Sequence, residues 1–301
     1  MTAAPSGADA SLSEVRARDI IIAGRDVYLS AGEQRPSLFV GVPSMPVHFV
    51  GREALVASLV ARLTSGQAGA VAVQGLPGVG KTTLAVALAH HRGLLEHFRD
   101  GILWASLGPR GDILAALATW GQALGVDVTE LASAAERSQA VKDAVGQRHL
   151  LLVVDDVWDK EAAGWLRCGG PNCRHLLTTR DQGIARAFAG VGQAIAAPPL
   201  EESPAVALLR ALAPEAFAVD EAAARELALA TGGLPLALEL LGGFLAAPEN
   251  SVFSELASEA LAEMRDPARR LELATRRLGA LASPEVTLRE TIELSLDGLT
   301  D

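Results

Sequence analysis

The chain has 301 residues, of which 50% are hydrophobic and 21% charged, so it is long enough for two globular domains with a sizeable core. Its formal net charge of −10 argues against nonspecific nucleic-acid binding, and from its apolar pattern we expect neither a membrane span nor a signal peptide. Because Cys168 and Cys173 are its only cysteines, a disulfide scaffold is excluded, and we expect a cytoplasmic protein without membrane or nucleic-acid partners.

Residues 1–45 form an N-terminal arm that differs in composition from the rest of the chain. The first ten residues are small and polar, as in disordered segments. Residues 19–29 predict two short strands about a turn at Gly24. Because an isolated hairpin is marginally stable, we expect it to pack on the main body, on a partner or on a second copy.

Strand and helix patterns alternate between residues 46 and 199. An amphipathic helix opens near Glu53, and further helices are predicted at 83–89, 112–124 and 134–145. Apolar strands are predicted at 70–74, 101–107, 150–154, 175–177 and 193–197. This alternation predicts an α/β domain with a parallel sheet flanked by helices.

Strand patterns stop after Leu200, and residues 200–285 predict a small all-helical domain. Its helices are expected at 204–212, 221–230 and 234–245, with more beyond residue 252. Ser203 as N-cap and Pro204 at the first helical position should begin the first of these helices. The chain stops soon after a further helix pattern within 286–301, so we expect it to be a fragment of a longer protein.

The glycine-rich stretch 75–82 lies between a predicted strand and a predicted helix, and it matches a phosphate-binding loop. Gly75, Gly78 and Gly80 let backbone N–H groups approach phosphate oxygens, and the helix N-terminus adds its positive dipole end. Lys81 would reach the β- and γ-phosphates, and the Thr82 hydroxyl would ligate Mg²⁺. The alternative, a chance turn, does not explain the Lys-Thr pair in register, so we expect a bound nucleoside phosphate.

Charged residues end two of the predicted strands, where open parallel sheets bind their ligands. Asp155 and Asp156 end the most hydrophobic strand, so one carboxylate can hold Mg²⁺ and the other can orient an attacking water. Arg180 ends another strand, where its guanidinium could contact a γ-phosphate. The alternatives are a surface Asp-Asp turn and a solvated arginine, and the presence of the phosphate loop argues against both.

Two further groups of residues have competing interpretations. Cys168, Cys173 and His175 could suggest a metal site, but their irregular spacing without a fourth donor favours free thiols. Pro235 follows two glycines between two predicted helices. It is either a rigid cover for a nucleotide base or a proline that begins a helix, and spacing alone leaves both interpretations open.

Six motifs follow one another in the order and spacing of the NB-ARC module. This module is the nucleotide switch of apoptotic-protease activators and plant resistance proteins, within the STAND class of P-loop ATPases. The motifs lie at 49–52, 75–83, 101–107, 150–158, 177–181 and 233–236. The resemblance covers residues 46–301, and the arginine-rich, lysine-poor composition indicates a bacterial source.

The resemblance implies an ASCE-type sheet in which the strand ending at Arg180 lies between those of Lys81 and Asp155. It implies that Thr82 and Asp155 serve Mg²⁺, that Asp156 is the catalytic base and that Arg180 senses the γ-phosphate. It also implies that Phe49, Val50 and Arg52 lie near the adenine and that Pro235 lies over the base. The full set of residues expected to bind the nucleotide is Phe49, Val50, Arg52, Gly75, Gly78, Val79, Gly80, Lys81, Thr82, Thr83 and Pro235.

The function implied is an ATP/ADP-binding switch that is inactive with ADP, self-associates after exchange for ATP, and hydrolyses ATP slowly. Residues 286–301 would begin a winged-helix domain, whose remainder and any sensor domain lie outside this chain. The alternative is a P-loop enzyme, such as a small-molecule kinase or a motor ATPase. The sequence offers no distinct acceptor-substrate lid or basic translocation face in its favour.

Overall fold

The computed structural model describes residues 21–23, 26–28, 38–66, 69–217 and 221–246. The expected disorder of residues 1–10, the helix pattern beyond residue 252 and the predicted start of a winged-helix domain at 286–301 lie outside the described residues. None of the described helices is long and apolar enough to span a membrane.

Strands and helices alternate through the first two thirds of the described chain, and helices alone follow. The strands are β1 (Ile21–Ala23), β2 (Asp26–Tyr28), β3 (Leu38–Val40), β4 (Ala70–Gln74), β5 (Gly101–Ser106), β6 (Leu150–Val157), β7 (Arg174–Thr179) and β8 (Ala194–Ala196). The helices are α1 (Glu53–Thr64), α2 (Lys81–His90), α3 (Arg92–His97), α4 (Ile113–Leu124), α5 (Ala134–Val145), α6 (Lys160–Trp165), α7 (Gln182–Ala189), α8 (Glu202–Leu212), α9 (Pro214–Phe217), α10 (Glu221–Ala230) and α11 (Pro235–Leu245).

Six strands form a sheet in the order β3-β5-β6-β7-β4-β8, and every neighbouring pair is parallel. Strand β7 therefore lies between β6, which carries Asp155, and β4, which leads into the phosphate loop. This is the order that the ASCE resemblance implied. The predicted fold class, a P-loop α/β domain followed by a small helical domain, is confirmed.

The sheet is buried on both faces, as the continuous apolar run of β6 predicted. Leu151 and Val153 face a core that includes side chains of α1, α2 and α3. The alternating residues Leu150, Leu152 and Val154 face a second core, formed with α4, α5 and α7. Because both faces are covered, β6 has no polar residue before Asp155, and its first charged residues stand at its carboxyl end.

Helices α8 to α11, called here the helical domain, pack around a third core that includes Leu209 and Leu238. Helix α8 begins at Glu202 after the N-cap Glu201, so the prediction that Ser203 caps it and Pro204 opens it is wrong. Both residues lie inside the first turn. Proline is tolerated there because its missing N–H would have no helical partner, and so it does not fix the boundary.

The N-terminal region contributes more to the sheet than the sequence predicted. The hairpin of β1 and β2 is antiparallel, as expected, and β2 contacts α3, so the hairpin packs on the main body. Strand β3, which precedes residue 46, was not predicted. It pairs with β5, where a Cβ on Gly101 would lie only 1.9 Å from the Leu38 carbonyl oxygen, so this pairing requires glycine.

Candidate nucleotide-binding site

The loop between β4 and α2 has the backbone geometry of a phosphate cradle. Gly78 and Gly80 have φ values of 71° and 88°, which glycine adopts without steric cost. Gly80 is the N-cap of α2 and has no side chain to cap the helix. The first N–H groups of α2 therefore keep their capacity to donate to an anion.

Lys81 is buried with 7% of its surface exposed, and its ammonium faces the loop. Its Nζ donates to the carbonyl oxygens of Gly75 and Leu76 at 3.0 and 2.9 Å. Burial, with help from the nearby Arg180, lowers the pKa of Lys81 to about 8, while Asp156 and Asp155 oppose this change. A phosphate group at the loop would restore an anionic partner to this partly desolvated cation.

Asp155 is 4% exposed and joins three elements of the fold. Its Oδ1 accepts hydrogen bonds from Thr82 Oγ1 at 2.9 Å and from Thr178 Oγ1 at 2.6 Å. Burial raises the pKa of this carboxyl group, and the hydrogen bonds from Thr178 and Thr82 partly offset the increase. The structure thus brings the predicted metal pair together and adds Thr178, for which the sequence suggested no role.

Asp156 lies at an irregularity in the pairing of β6 with β7, between Val154 and Val157. It is the only described residue other than glycine with a positive φ, at 52°. Its N–H donates to Thr178 Oγ1 at 2.9 Å, so Thr178 contacts both aspartates. The irregularity turns the second carboxylate away from the first and towards Arg180.

Arg180 lies between an acid and an aromatic ring. Its Nε is 4.0 Å from Asp156 Oδ1, and its guanidinium lies 4.6 Å from the ring centre of Trp158. Trp158 is 42% exposed. The sequence placed Trp158 inside a motif but gave it no role, because its contact with Arg180 forms across two strands.

At the other end of the site, Arg52 is 7% exposed and holds two backbone segments together. Its Nη1 donates to the Pro198 carbonyl at 2.5 Å and its Nη2 to the Val79 carbonyl at 3.0 Å. Burial lowers the pKa of its guanidinium. Phe49 is buried nearby, and Val50 packs against the core of the helical domain.

The helical domain touches the phosphate loop directly. Leu236 N–H, in the first turn of α11, donates to the Gly78 carbonyl at 3.2 Å. Leu200 N–H donates to the Gly233 carbonyl at 2.8 Å, which holds the turn before α11 against the start of the domain. Pro235 is thereby placed 3.7 Å from where a Cβ on Gly80 would lie.

Most of the predicted site residues line two adjoining cavities. The larger, of about 510 Å³, is called here the phosphate cavity and contains Gly78, Gly80, Lys81, Thr82, Thr83, Asp155, Asp156, Arg180 and Pro235. The smaller, called the base cavity, contains Phe49, Val50, Arg52 and Val79 and shares Gly80, Thr83 and Pro235 with the first. Gly75 lines neither cavity and instead accepts a hydrogen bond from Lys81.

Several lining residues were not predicted from the sequence. In the phosphate cavity they are Ser106, Leu107, Gly108, Leu236 and Glu239, and in the base cavity they are His48, Leu200, Leu208 and again Glu239. The position of 106–108 at the carboxyl end of a predicted strand was the available signal, since neighbouring parallel strands end at one edge. For Glu239 the only available signal in the sequence was its spacing of four residues from Pro235.

Cys168 and Cys173 are buried free thiols, and burial raises the pKa of Cys168 to about 12. The neighbouring His175 is part of the framework. Its Nε2 accepts a hydrogen bond from Gly169 N–H at 3.1 Å, which leaves Nδ1 to donate to the Gly69 carbonyl at 3.2 Å. None of the three residues lines the two cavities.

Comparison with known proteins places this geometry in a family. The model of the NB-ARC domain matches residues 52–217. The regulatory protein AfsR of Streptomyces griseus is 30% identical over 84% of this chain, which spans 25% of that protein. The apoptotic protease-activating factor 1 of Rattus norvegicus is 32% identical over 50% of this chain, which spans 13% of that protein.

Among solved structures, a signal transduction ATPase with numerous domains (STAND) from Pyrococcus horikoshii, with a tetratricopeptide repeat sensor, aligns with a TM-score of 0.48. It is 18% identical, and the alignment covers 76% of this chain and 35% of that one. The family match spans more than half of this chain, and the phosphate loop, paired aspartates and strand order agree with it. The chain therefore belongs to the NB-ARC family.

Proposed function

We propose that this chain is the ATP/ADP-binding switch of a STAND signalling protein. ADP holds the nucleotide-binding and helical domains together in an inactive form, and exchange for ATP favours a form that self-associates. One observation supports this most directly, namely the hydrogen bond from Leu236 N–H to the Gly78 carbonyl. Both domains line the phosphate cavity, so its occupant can change the free energy of the inactive form relative to that of the self-associating form. A ligand shifts the equilibrium between two forms only if it binds them with different affinity.

The residues around the two cavities suit an adenine nucleotide and Mg²⁺. Lys81 and the N-terminus of α2 would hold the phosphates, and the cluster of Phe49, Val50, Arg52 and Pro235 would surround the base. Thr82 and Asp155 offer two hard oxygen donors within 2.9 Å of each other, and a cation would relieve the buried carboxylate. When bound, Mg²⁺ would neutralise phosphate charge. Asp156 would act as the base, and Arg180 would contact the γ-phosphate.

The partners proposed follow from the family and from the length of the relatives. The chain spans a quarter or less of AfsR and of apoptotic protease-activating factor 1. We therefore propose that a winged-helix domain and a sensor domain follow it in a longer cytoplasmic protein, with hydrolysis too slow to make it a metabolic enzyme. A true P-loop enzyme remains the rival function, and steady-state turnover above about one per second would favour that rival.

The first prediction concerns Lys81. Replacing it by alanine (Lys81→Ala) should weaken ADP binding at least tenfold, or about 1.4 kcal/mol, because the phosphates lose their buried cation. Isothermal titration calorimetry with the intact chain measures this. The matched control is Lys142→Ala, which removes an exposed lysine from α5 outside both cavities. Unchanged ADP affinity in Lys81→Ala would remove the basis for the proposed function.

A further inference from the structure

The phosphate cavity and the base cavity share four lining residues, namely Gly80, Thr83, Pro235 and Glu239. The phosphate-binding groups lie at one end of the combined cleft, and the Phe49–Arg52 segment lies at the other. In a nucleotide the ribose joins the base to the phosphates. A nucleotide bound across both ends would place its ribose beside the shared residues.

Among these four residues, Glu239 has the only charged side chain. It follows Pro235 by four positions on α11, so both residues are on the same side of that helix. Within the described part of the chain, Glu239 accepts no hydrogen bond; burial raises its pKa, and nearby His48, which lines the base cavity, partly opposes this change. Gly80 and Pro235 have no polar side-chain atom, and Thr83 offers a single hydroxyl group.

We propose that Glu239 binds the 2′- and 3′-hydroxyl groups of the ribose and makes the site select ribonucleotides over 2′-deoxyribonucleotides. This inference rests on the proposed function. A carboxylate has two acceptor oxygens, which match two adjacent hydroxyl donors, and hydrogen bonds to an ionised acceptor are stronger than neutral ones. The hydroxyl of Thr83 is a single neutral oxygen, so hydrogen bonds that it accepts from the ribose would be weaker than those to a carboxylate.

The competing role for Glu239 is repulsion of the phosphates, since the same side chain also lines the phosphate cavity. The two roles predict opposite effects of removing the charge. A ribose-binding carboxylate increases nucleotide affinity, whereas a carboxylate directed at phosphate decreases it. Glu239 lines both cavities, lies on the same helix as Pro235, and belongs to a different domain from Lys81. This position favours contact with the ribose.

The test is calorimetric titration of the intact chain with ADP and with 2′-deoxy-ADP, at fixed Mg²⁺ concentration. The unaltered chain should bind ADP about tenfold more tightly than 2′-deoxy-ADP. The variant Glu239→Gln should lose most of that preference, by weakening ADP while leaving 2′-deoxy-ADP nearly unchanged. Glu215→Gln is the matched control, because it removes the same charge from an exposed position of α9 outside both cavities.

Each other outcome has a defined meaning. Tighter binding of both nucleotides by Glu239→Gln would establish phosphate repulsion and overturn the inference. Equal weakening of both would reveal a merely structural role and also overturn it. A chain that binds ADP without any preference refutes the inference alone, whereas a chain that binds neither nucleotide refutes the proposed function as well. Thr83→Val should retain the preference for ADP, and its loss there would assign the ribose contact to Thr83.

Discussion

Asp155 and Asp156 are adjacent in the chain but lie in different surroundings. Asp155 is buried, and its carboxylate accepts hydrogen bonds from Thr82 and Thr178. The side chain of Asp156 is 32% exposed and borders the phosphate cavity near Arg180. A fixed, buried carboxylate suits the positioning of a cation, whereas a partly exposed one can contact water. The two positions should therefore respond differently to the same substitution.

Changing each aspartate to asparagine should separate these roles. Asp155→Asn should weaken Mg²⁺-dependent nucleotide binding about tenfold, because an amide is a poorer ligand for a hard cation. Asp156→Asn should bind nucleotide normally and hydrolyse ATP more slowly. Titrations with and without Mg²⁺, together with phosphate release, measure both effects. If Asp156→Asn abolishes binding while Asp155→Asn has no effect, the assignments must be exchanged.

At the level of single residues, the sequence predicted the parts of the site that belong to continuous motifs. Lys81 and Thr82 follow their glycines at fixed spacing, so the local pattern suffices. Thr178 and Glu239 reach the site through the pairing of β7 with β6 and the docking of α11 on the loop. No local pattern predicts such contacts, because they depend on how distant elements pack.

At the level of elements, the junction between the helical domain and the sheet is made by backbone contacts at element ends. Gly233 has a φ of 68°, and a Cβ added to it would lie 2.1 Å from the Leu200 carbonyl oxygen. Gly51 is equally close-packed, since its added Cβ would lie 2.2 Å from Pro204 Cβ. Real Cβ atoms do not approach so closely. Glycine at both positions is thus a condition for docking α8 and α11 beside the cavities.

Replacing Gly233 by alanine should disturb this junction. Gly233→Ala should lower the free energy of unfolding by about 2 to 4 kcal/mol, through the clash with Leu200 and the strained positive φ, and should weaken ADP binding. Gly232→Ala is the matched control. Gly232 also has a positive φ, of 57°, but its added Cβ would meet nothing within 4 Å. Urea unfolding and ADP titration of both variants compare them, and equal losses would mean that the Leu200 contact is unimportant.

The elements that the sequence predicted well are those with a strong pattern of their own. Helices α4, α5 and α10 were predicted to within one residue of their observed bounds, and β6 begins where its apolar run was predicted to begin, although it continues past residue 154 to Val157. Strand β3 has three residues and no clear alternation, and it exists because Gly101 allows Leu38 to approach β5. Short edge strands of this kind are determined by tertiary pairing rather than by local preference.

At the level of the whole molecule, His175 links folding stability to pH. It is 5% exposed, and burial lowers its pKa to about 4. Its neutral ring holds Gly69 before β4 and Gly169 in the connection to β7. In the unfolded chain a histidine has a pKa of about 6.5, so below this pH the unfolded state binds a proton that the folded state does not.

The free energy of unfolding should consequently decrease as the pH falls from about 6.5 to 4, by up to about 3 kcal/mol from this residue, and His175 should contribute no such dependence above pH 7. Urea unfolding at pH 7.5 and 4.5 measures the change. His175→Gln should be less stable at pH 7.5 but should lose about 3 kcal/mol less between the two pH values. A variant with the same pH dependence as the unaltered chain would show that other groups cause the acid sensitivity.

The left-handed backbone of Asp156 bears on which residues selection can retain there. A positive φ costs a residue with a Cβ about 1–2 kcal/mol and costs glycine almost nothing, although aspartate tolerates it better than most. If the chain needed only the bend between Val154 and Val157, glycine would be more stable there, and a single-nucleotide change in an aspartate codon would produce it. Under the proposed function, the carboxylate is what requires an acid at this position. Folding alone would then favour glycine at position 156, whereas the proposed function would favour aspartate.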